Sequence, residues 1–119
     1  EGLPTLRGPS EATPEQAAQM LSMLYRLKPV LAPLGDVQSL RLNERGGWTA
    51  WLDNEARIEL GRGDDDEVLL RTERFVRSYP TLAQTYAAPL VYADLRYAQG
   101  YAIKLQGLST FNPQLSSTR

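Results

Sequence analysis

The sequence predicts an α+β domain: one mostly antiparallel sheet of about five strands, two main helices packed on it, and the C-terminal strand at an open edge. Three observations predict it. Two stretches carry apolar residues at helical spacing behind capping signals. Short runs between and after them alternate apolar and polar residues. Nothing strand-like follows Leu105, because residues 106–119 are rich in Ser, Thr, Asn and Gln and contain Gly107 and Pro113. The order reads β-α-βββ-α-ββ, the pattern of a sheet covered by helices.

In chain order, Pro4, Gly8 and Pro9 make the first ten residues extended or turn-like, with a short strand possible at Leu3 to Leu6. The first helix is expected from Pro14. Thr13 suits the N-cap, Pro14 the first helical position, and Gln16 completes a Thr-x-x-Gln capping box. Ala17, Met20, Leu21, Leu24, Leu27 and Leu31 form its apolar stripe, and Pro29 is expected to end or kink it near Leu27 to Lys28. A three-strand meander follows at 37–43, 48–53 and 56–60, with turns at Glu44 to Gly47 and Asp53 to Glu55. Asp64, Asp65, Asp66 and Glu67 open the second helix, where acidic side chains match the positive end of the dipole. Val68, Leu69, Thr72, Phe75, Val76 and Tyr79 are its expected buried stripe. Pro80 is expected to stop it, with a short helix possible over 81–87. The last hairpin joins 90–97 to 101–105 around Ala98-Gln99-Gly100, with Gly100 free to take a positive φ.

Composition sets limits. A chain of 119 residues is one domain on length, and 42% hydrophobic residues suffice for one core. Thirteen basic and fourteen acidic side chains give a net charge of −1, without the basic surface of a nucleic-acid binder. With no cysteine and no histidine, disulfides, thiolate metal sites, thiol nucleophiles and the commonest general base are excluded. No apolar run approaches a membrane span. Glu1 stands where a Met or a signal peptide would open a complete protein, and the chain is expected to start within a longer one.

The chemistry that remains is thin. Asp64 to Glu67 is the one carboxylate cluster, but it lacks the ligand spacing of a calcium loop and reads better as helix N-terminal acids. Gly61-x-Gly63 before a helix is a possible phosphate cradle, yet four acids follow and would repel an anion. No catalytic, cofactor or metal residue is assigned. Trp48 and Trp51 fall on opposite faces of one strand, so one is core and the other at least partly exposed. The exposed face suits either binding beside Arg45 or cover by a helix. Tyr92, Tyr97 and Tyr101 cluster at the last hairpin, as cross-strand pairs or as an anchor surface. The free side of 101–105 is a row of unpaired N–H and C=O groups that can accept a strand from another protein.

Four segments, in order, resemble one family. Tyr92-Ala93-Asp94-Leu95-Arg96-Tyr97 with Gly100-Tyr101-Ala102 is similar to the last hairpin of the bacterial cell-division family FtsQ/DivIB. Leu6-Arg7-Gly8-Pro9, Gly47-Trp48 with Leu52-Asp53-Asn54, and Leu60-Gly61-Arg62-Gly63-Asp64 with Arg74-Phe75-Val76 and Tyr79-Pro80 match further family segments. The resemblance implies that residues 1–105 are a periplasmic β-domain and that 106–119 are a flexible polar tail. It implies a membrane anchor upstream, in a single-pass inner-membrane protein. It also implies a non-catalytic scaffold that recruits the FtsB–FtsL complex, with no nucleic acid and no cofactor. The expected mechanism is strand addition at 101–105, with Tyr97, Gln99, Gly100, Tyr101, Ile103 and Leu105 giving side-chain contact. Ala102 and Lys104 complete the docking strand, and Arg45 and Arg96 are the cations expected to pair with partner acids. Two alternatives come from other classes: a small accessory enzyme using Asp or Glu, and a module that self-associates through the same edge.

Overall fold

A computed structural model of the chain describes residues 4–10, 13–97 and 100–112. The elements are β1 (Thr5–Arg7), α1 (Pro14–Leu31), β2 (Val37–Leu42), β3 (Trp48–Leu52), β4 (Arg57–Gly61), α2 (Asp65–Tyr86), β5 (Leu90–Asp94) and β6 (Ala102–Leu105). The strands make one six-stranded sheet in the order β1-β2-β3-β4-β5-β6, with β6 at its end. The α+β architecture is as expected, but the sheet is mixed. β2, β3, β4 and the β5–β6 hairpin run antiparallel, whereas β1 pairs with β2, and β4 with β5, in parallel. The reason lies in the connections: α1 joins β1 to β2 and α2 joins β4 to β5, and a crossover helix returns the chain in the same direction.

Both helices open with reciprocal caps. The Gln16 N–H donates to Thr13 Oγ1 at 3.1 Å while Thr13 N–H donates to Gln16 Oε1 at 3.0 Å. Asp64 and Glu67 repeat the exchange at 2.9 and 3.0 Å. The remaining acids of the cluster tie the helices together: Asp65 accepts from Gln19 Nε2 at 3.2 Å and Asp66 pairs with Arg26 at 2.8 Å. The cluster therefore caps and staples.

Neither internal proline ends its helix. α1 continues through Pro29 to Leu31, and α2 through Pro80 to Tyr86, so residues 81–86 extend α2 instead of forming a helix of their own. Both prolines are exposed, and buried Leu31 and Leu82 lie beyond them. Packing of those later residues outweighs the one hydrogen bond that each proline removes. The stripe of α1 also shifts: Met20, Met23, Leu24, Leu27 and Leu31 are buried, while Ala17 and Leu21 are exposed.

The helices cover one face of the sheet. Leu40, Leu42, Trp48, Ala50, Leu52, Ile58, Leu60, Leu95 and Ile103 join the helix stripes in one core. The other face carries the alternate residues. Trp51, Arg57, Tyr92 and Lys104 stand in cross-strand register along one row. The Arg41 guanidinium lies 5.8 Å from the Trp51 ring, and that of Arg57 lies 4.5 Å from the Tyr92 ring. Trp48 is thus the core tryptophan and Trp51 the half-buried one.

Candidate functional site

The register of the last hairpin fixes which way β6 points its backbone. Tyr92 pairs with Lys104, Ala93 with Ile103 and Asp94 with Ala102. Ile103 N–H donates to Phe111 O at 2.8 Å and Ile103 O accepts from Phe111 N–H at 2.9 Å, so the Ile103 backbone faces away from β5. Alternation gives Tyr101 and Leu105 the same outward direction and turns Ala102 and Lys104 toward β5. The inward direction of the next even position is confirmed by Gln106 N–H, which donates to Pro89 O at 2.8 Å.

The same alternation decides the side chains. Tyr101, Ile103 and Leu105 are buried, Ile103 completely. Tyr101 packs edge-on against Phe75 at 4.8 Å and its hydroxyl lies 2.6 Å from Ser78 Oγ. Ser78 gives its single proton to Phe75 O at 2.9 Å, so Tyr101 is the donor of that pair. Burial raises the Tyr101 hydroxyl pKa. The side-chain contact expected from Tyr101, Ile103 and Leu105 is therefore corrected: their side chains fill the core, and only their backbone faces the edge. Ala102 is buried too. Lys104 is half-buried, and its Nζ donates to Leu108 O at 2.9 Å. Tyr97 is 47% exposed. Gly100, with φ +100°, has open space around it. Gln99 lies outside the described residues.

Arg45 and Arg96 do not flank β6 together. Arg45 sits in the turn between β2 and β3, with β3, β4 and β5 between it and β6. Both instead line one groove at the end of the sheet, with Arg62, Arg71, Glu59, Gly61 and Trp48. Arg96 is anchored from below: its Nε and Nη2 each donate to Asp94 at 2.8 Å, and its N–H donates to Asp94 Oδ1 at 3.0 Å. The Arg96 guanidinium bonds hold the Asp94 carboxyl below the usual carboxylate range, and Asp94 in turn raises the Arg96 pKa. The Asp94 side chain is 11% exposed and that of Arg96 57%, so the pair presents a fixed cation to solvent. Arg71 Nη1 donates to Leu60 O at 2.6 Å. Arg45 and Arg62 make no ion pair among the described residues. Gly61 makes room for the others: at φ +88°, a Cβ there would lie 2.9 Å from Arg71 Nη1 and 3.1 Å from Arg96 Cγ.

Four guanidinium groups and one lining carboxylate, Glu59, suit an acidic side chain of a partner. The sequence names Arg62 only within a family segment and does not single out Arg71. Arg71 stands three residues after buried Val68, at the margin of the α2 stripe, which is the signal that places it beside the sheet. Nothing local distinguishes Arg62 from a turn residue.

Residues 1–96 match the family described as Cell division protein FtsQ/DivIB, C-terminal. The matched range stops before β6. The chain is 33% identical over 107 residues to a Cell division protein FtsQ of Burkholderia pseudomallei, covering 89% of this chain and 42% of that protein. It is 34% identical over 103 residues to one of Xanthomonas campestris, with 86% and 34% covered. A third, from Aliivibrio fischeri, is 35% identical over 104 residues, with 87% and 38% covered. The chain thus spans well under half the length of these relatives.

Proposed function

The chain belongs to the FtsQ/DivIB family through that family's C-terminal domain, and on this premise we propose that it is a non-catalytic scaffold of the division machinery. It binds the FtsB–FtsL complex in the periplasm, as part of a longer protein held at the inner membrane. The partner adds a strand along the outer edge of β6 and sets acidic side chains into the groove of Arg45, Arg62, Arg71 and Arg96. One observation carries the reading: β6 ends the sheet with the backbone of Tyr101, Ile103 and Leu105 turned outward. Main-chain bonds along such an edge give affinity and register without side-chain specificity. Specificity then falls to the groove and to Lys104, which ends the row of Trp51, Arg57 and Tyr92 across the sheet. A partner carboxylate beside Lys104 pairs with its ammonium at the end of that row.

Photo-crosslinking tests it. A benzophenone side chain in place of Tyr97 is expected to capture FtsB or FtsL from the purified complex. The same group in place of Tyr25, an exposed residue of α1, serves as the control. Capture at position 25 and none at position 97 would move the site to the helical face and overturn the reading.

A further inference from the structure

The outer edge of β6 is already in use. Phe111 returns along it and exchanges both backbone bonds with Ile103, at 2.8 and 2.9 Å. Its half-buried ring lies 5.0 Å from that of Tyr86, at the last residue of α2. The connecting turn is closed by Leu108 N–H on Leu105 O at 3.0 Å and by Lys104 Nζ on Leu108 O at 2.9 Å. We propose that the segment carrying Phe111 is a displaceable guard: it holds the outward groups of Ile103 in the unbound domain and must leave before a partner strand can dock. The proposal rests on strand addition at β6 as the mode of binding.

Two features keep the guard weak. The antiparallel register that pairs Ile103 with Phe111 sets residue 109 opposite Leu105. In the sequence, two positions after Phe111, stands Pro113, which has no backbone N–H to give to a ladder. On the other side, Leu105 O is committed to Leu108 N–H inside the turn. Among the described residues the tail holds the edge of β6 by that one pair. An incoming strand without that proline can bond Tyr101 as well as Ile103, so it outcompetes a single bridge. The cost appears as a reduced apparent affinity, by the fraction of molecules whose edge is uncovered. An edge covered in this way is also withheld from pairing with other copies of the chain.

The test compares the 119-residue chain with a variant ending at Leu108, which keeps the turn, and with Phe111→Ala, which keeps the backbone bridge but loses the ring contact. Amide hydrogen exchange at Ile103 and calorimetric titration with the FtsB–FtsL complex are the readouts. In the free full chain the Ile103 amide is expected to be protected, and in the variant ending at Leu108 to exchange freely. Adding the complex restores protection, and affinity rises about tenfold, equivalent to about 1.4 kcal/mol. Phe111→Ala gives a smaller rise. Unchanged affinity in the shortened chain, with Ile103 still protected by the complex, overturns the guard and leaves strand addition standing. So does a Phe111 amide that stays protected in the full-length complex. Failure of the complex to protect Ile103 in the shortened chain overturns strand addition itself, and the guard with it.

Discussion

N-methylation of single amides in β6 separates the two sides of the strand, and the expected outcomes are opposite. Proline is a poor probe here. At the outward positions Tyr101, Ile103 and Leu105 it would also delete a core side chain. N-methyl-isoleucine at Ile103 keeps the side chain and removes only the outward N–H. In the free domain that group donates one bond, to Phe111 O at 2.8 Å. Its loss is expected to cost about 1 kcal/mol. For a chain of this size that lowers the melting temperature by about 4 °C. N-methyl-lysine at Lys104 instead removes an N–H turned toward Tyr92 and puts a methyl group between strands that lie about 4.8 Å apart. The orphaned carbonyl alone costs roughly 1–3 kcal/mol, before the strands separate to admit the methyl. The assays are circular dichroism melts and titration with the FtsB–FtsL complex. The Ile103 variant is expected to melt as a folded domain and bind at least about tenfold more weakly, about 1.4 kcal/mol. The Lys104 variant is expected to lose the hairpin. Ligation at Ala98 makes both accessible, because the chain has no cysteine and a temporary Cys at that position can be desulfurised to the native residue. Made in a chain ending at Leu108, where release of the guard cannot offset the loss, a folded Ile103 variant with undiminished binding would refute strand addition at this edge.

Other outcomes follow from the groove and the core. Arg45→Glu is expected to weaken partner binding at low salt by up to about fivefold, about 1 kcal/mol, with the melt unchanged, since its guanidinium holds no ion pair among the described residues. Arg96→Glu should weaken binding and also destabilise the domain by about 1–2 kcal/mol, because it sets a second carboxylate beside Asp94. With its folded pKa lowered chiefly by the Arg96 hydrogen bond, Asp94 contributes stability that is fully present above the unfolded carboxylate pKa and lost as pH falls through the folded value. The acid limb of a stability-against-pH curve should therefore be flatter in Asp94→Asn, and an unchanged limb would argue against this pairing. Tyr101→Phe removes the donor to Ser78 and is expected to cost about 1 kcal/mol in a denaturant melt, with partner affinity unchanged because that ring faces the core.

The helix starts were legible because their signals are local: Thr13 with Gln16 reads as a capping box and Asp64 to Glu67 as helix N-terminal acids, although the reciprocal cap of Asp64 with Glu67 emerges only in the structure. The helix ends were not. Pro29 and Pro80 carry strong local stop signals, and both are overruled by burial of Leu31 and Leu82 a few residues on. The parallel pairings of β1 and β5 follow from the helices before β2 and β5, so the element order already held them, although the alternation within each strand did not. At the edge, alternation correctly put Tyr101, Ile103 and Leu105 on one face. Whether that face was core or surface depended on α2 packing over the hairpin, with Phe75 and Ser78 meeting Tyr101. Phe111 escaped notice because a one-residue bridge has no period to detect. The groove was half legible: Arg45 and Arg96 are far apart in sequence, and the turn of β4 into α2 at Gly61 is what gathers Arg62 and Arg71 around them.

The coincidence of sheet order with chain order has a mechanical consequence. A pull between the N-terminal strand and a partner clamped at β6 loads every seam of the sheet in series, and a series yields at its weakest member. The parallel seams β1–β2 and β4–β5 hold three register pairs each, against four or five in the antiparallel ones. Each of these short seams is also the one that a helix straddles in the chain, α1 the first and α2 the second. Under tension the domain therefore parts into blocks, with the β2–β3–β4 meander and the β5–β6 hairpin intact and a helix left as the tether between them.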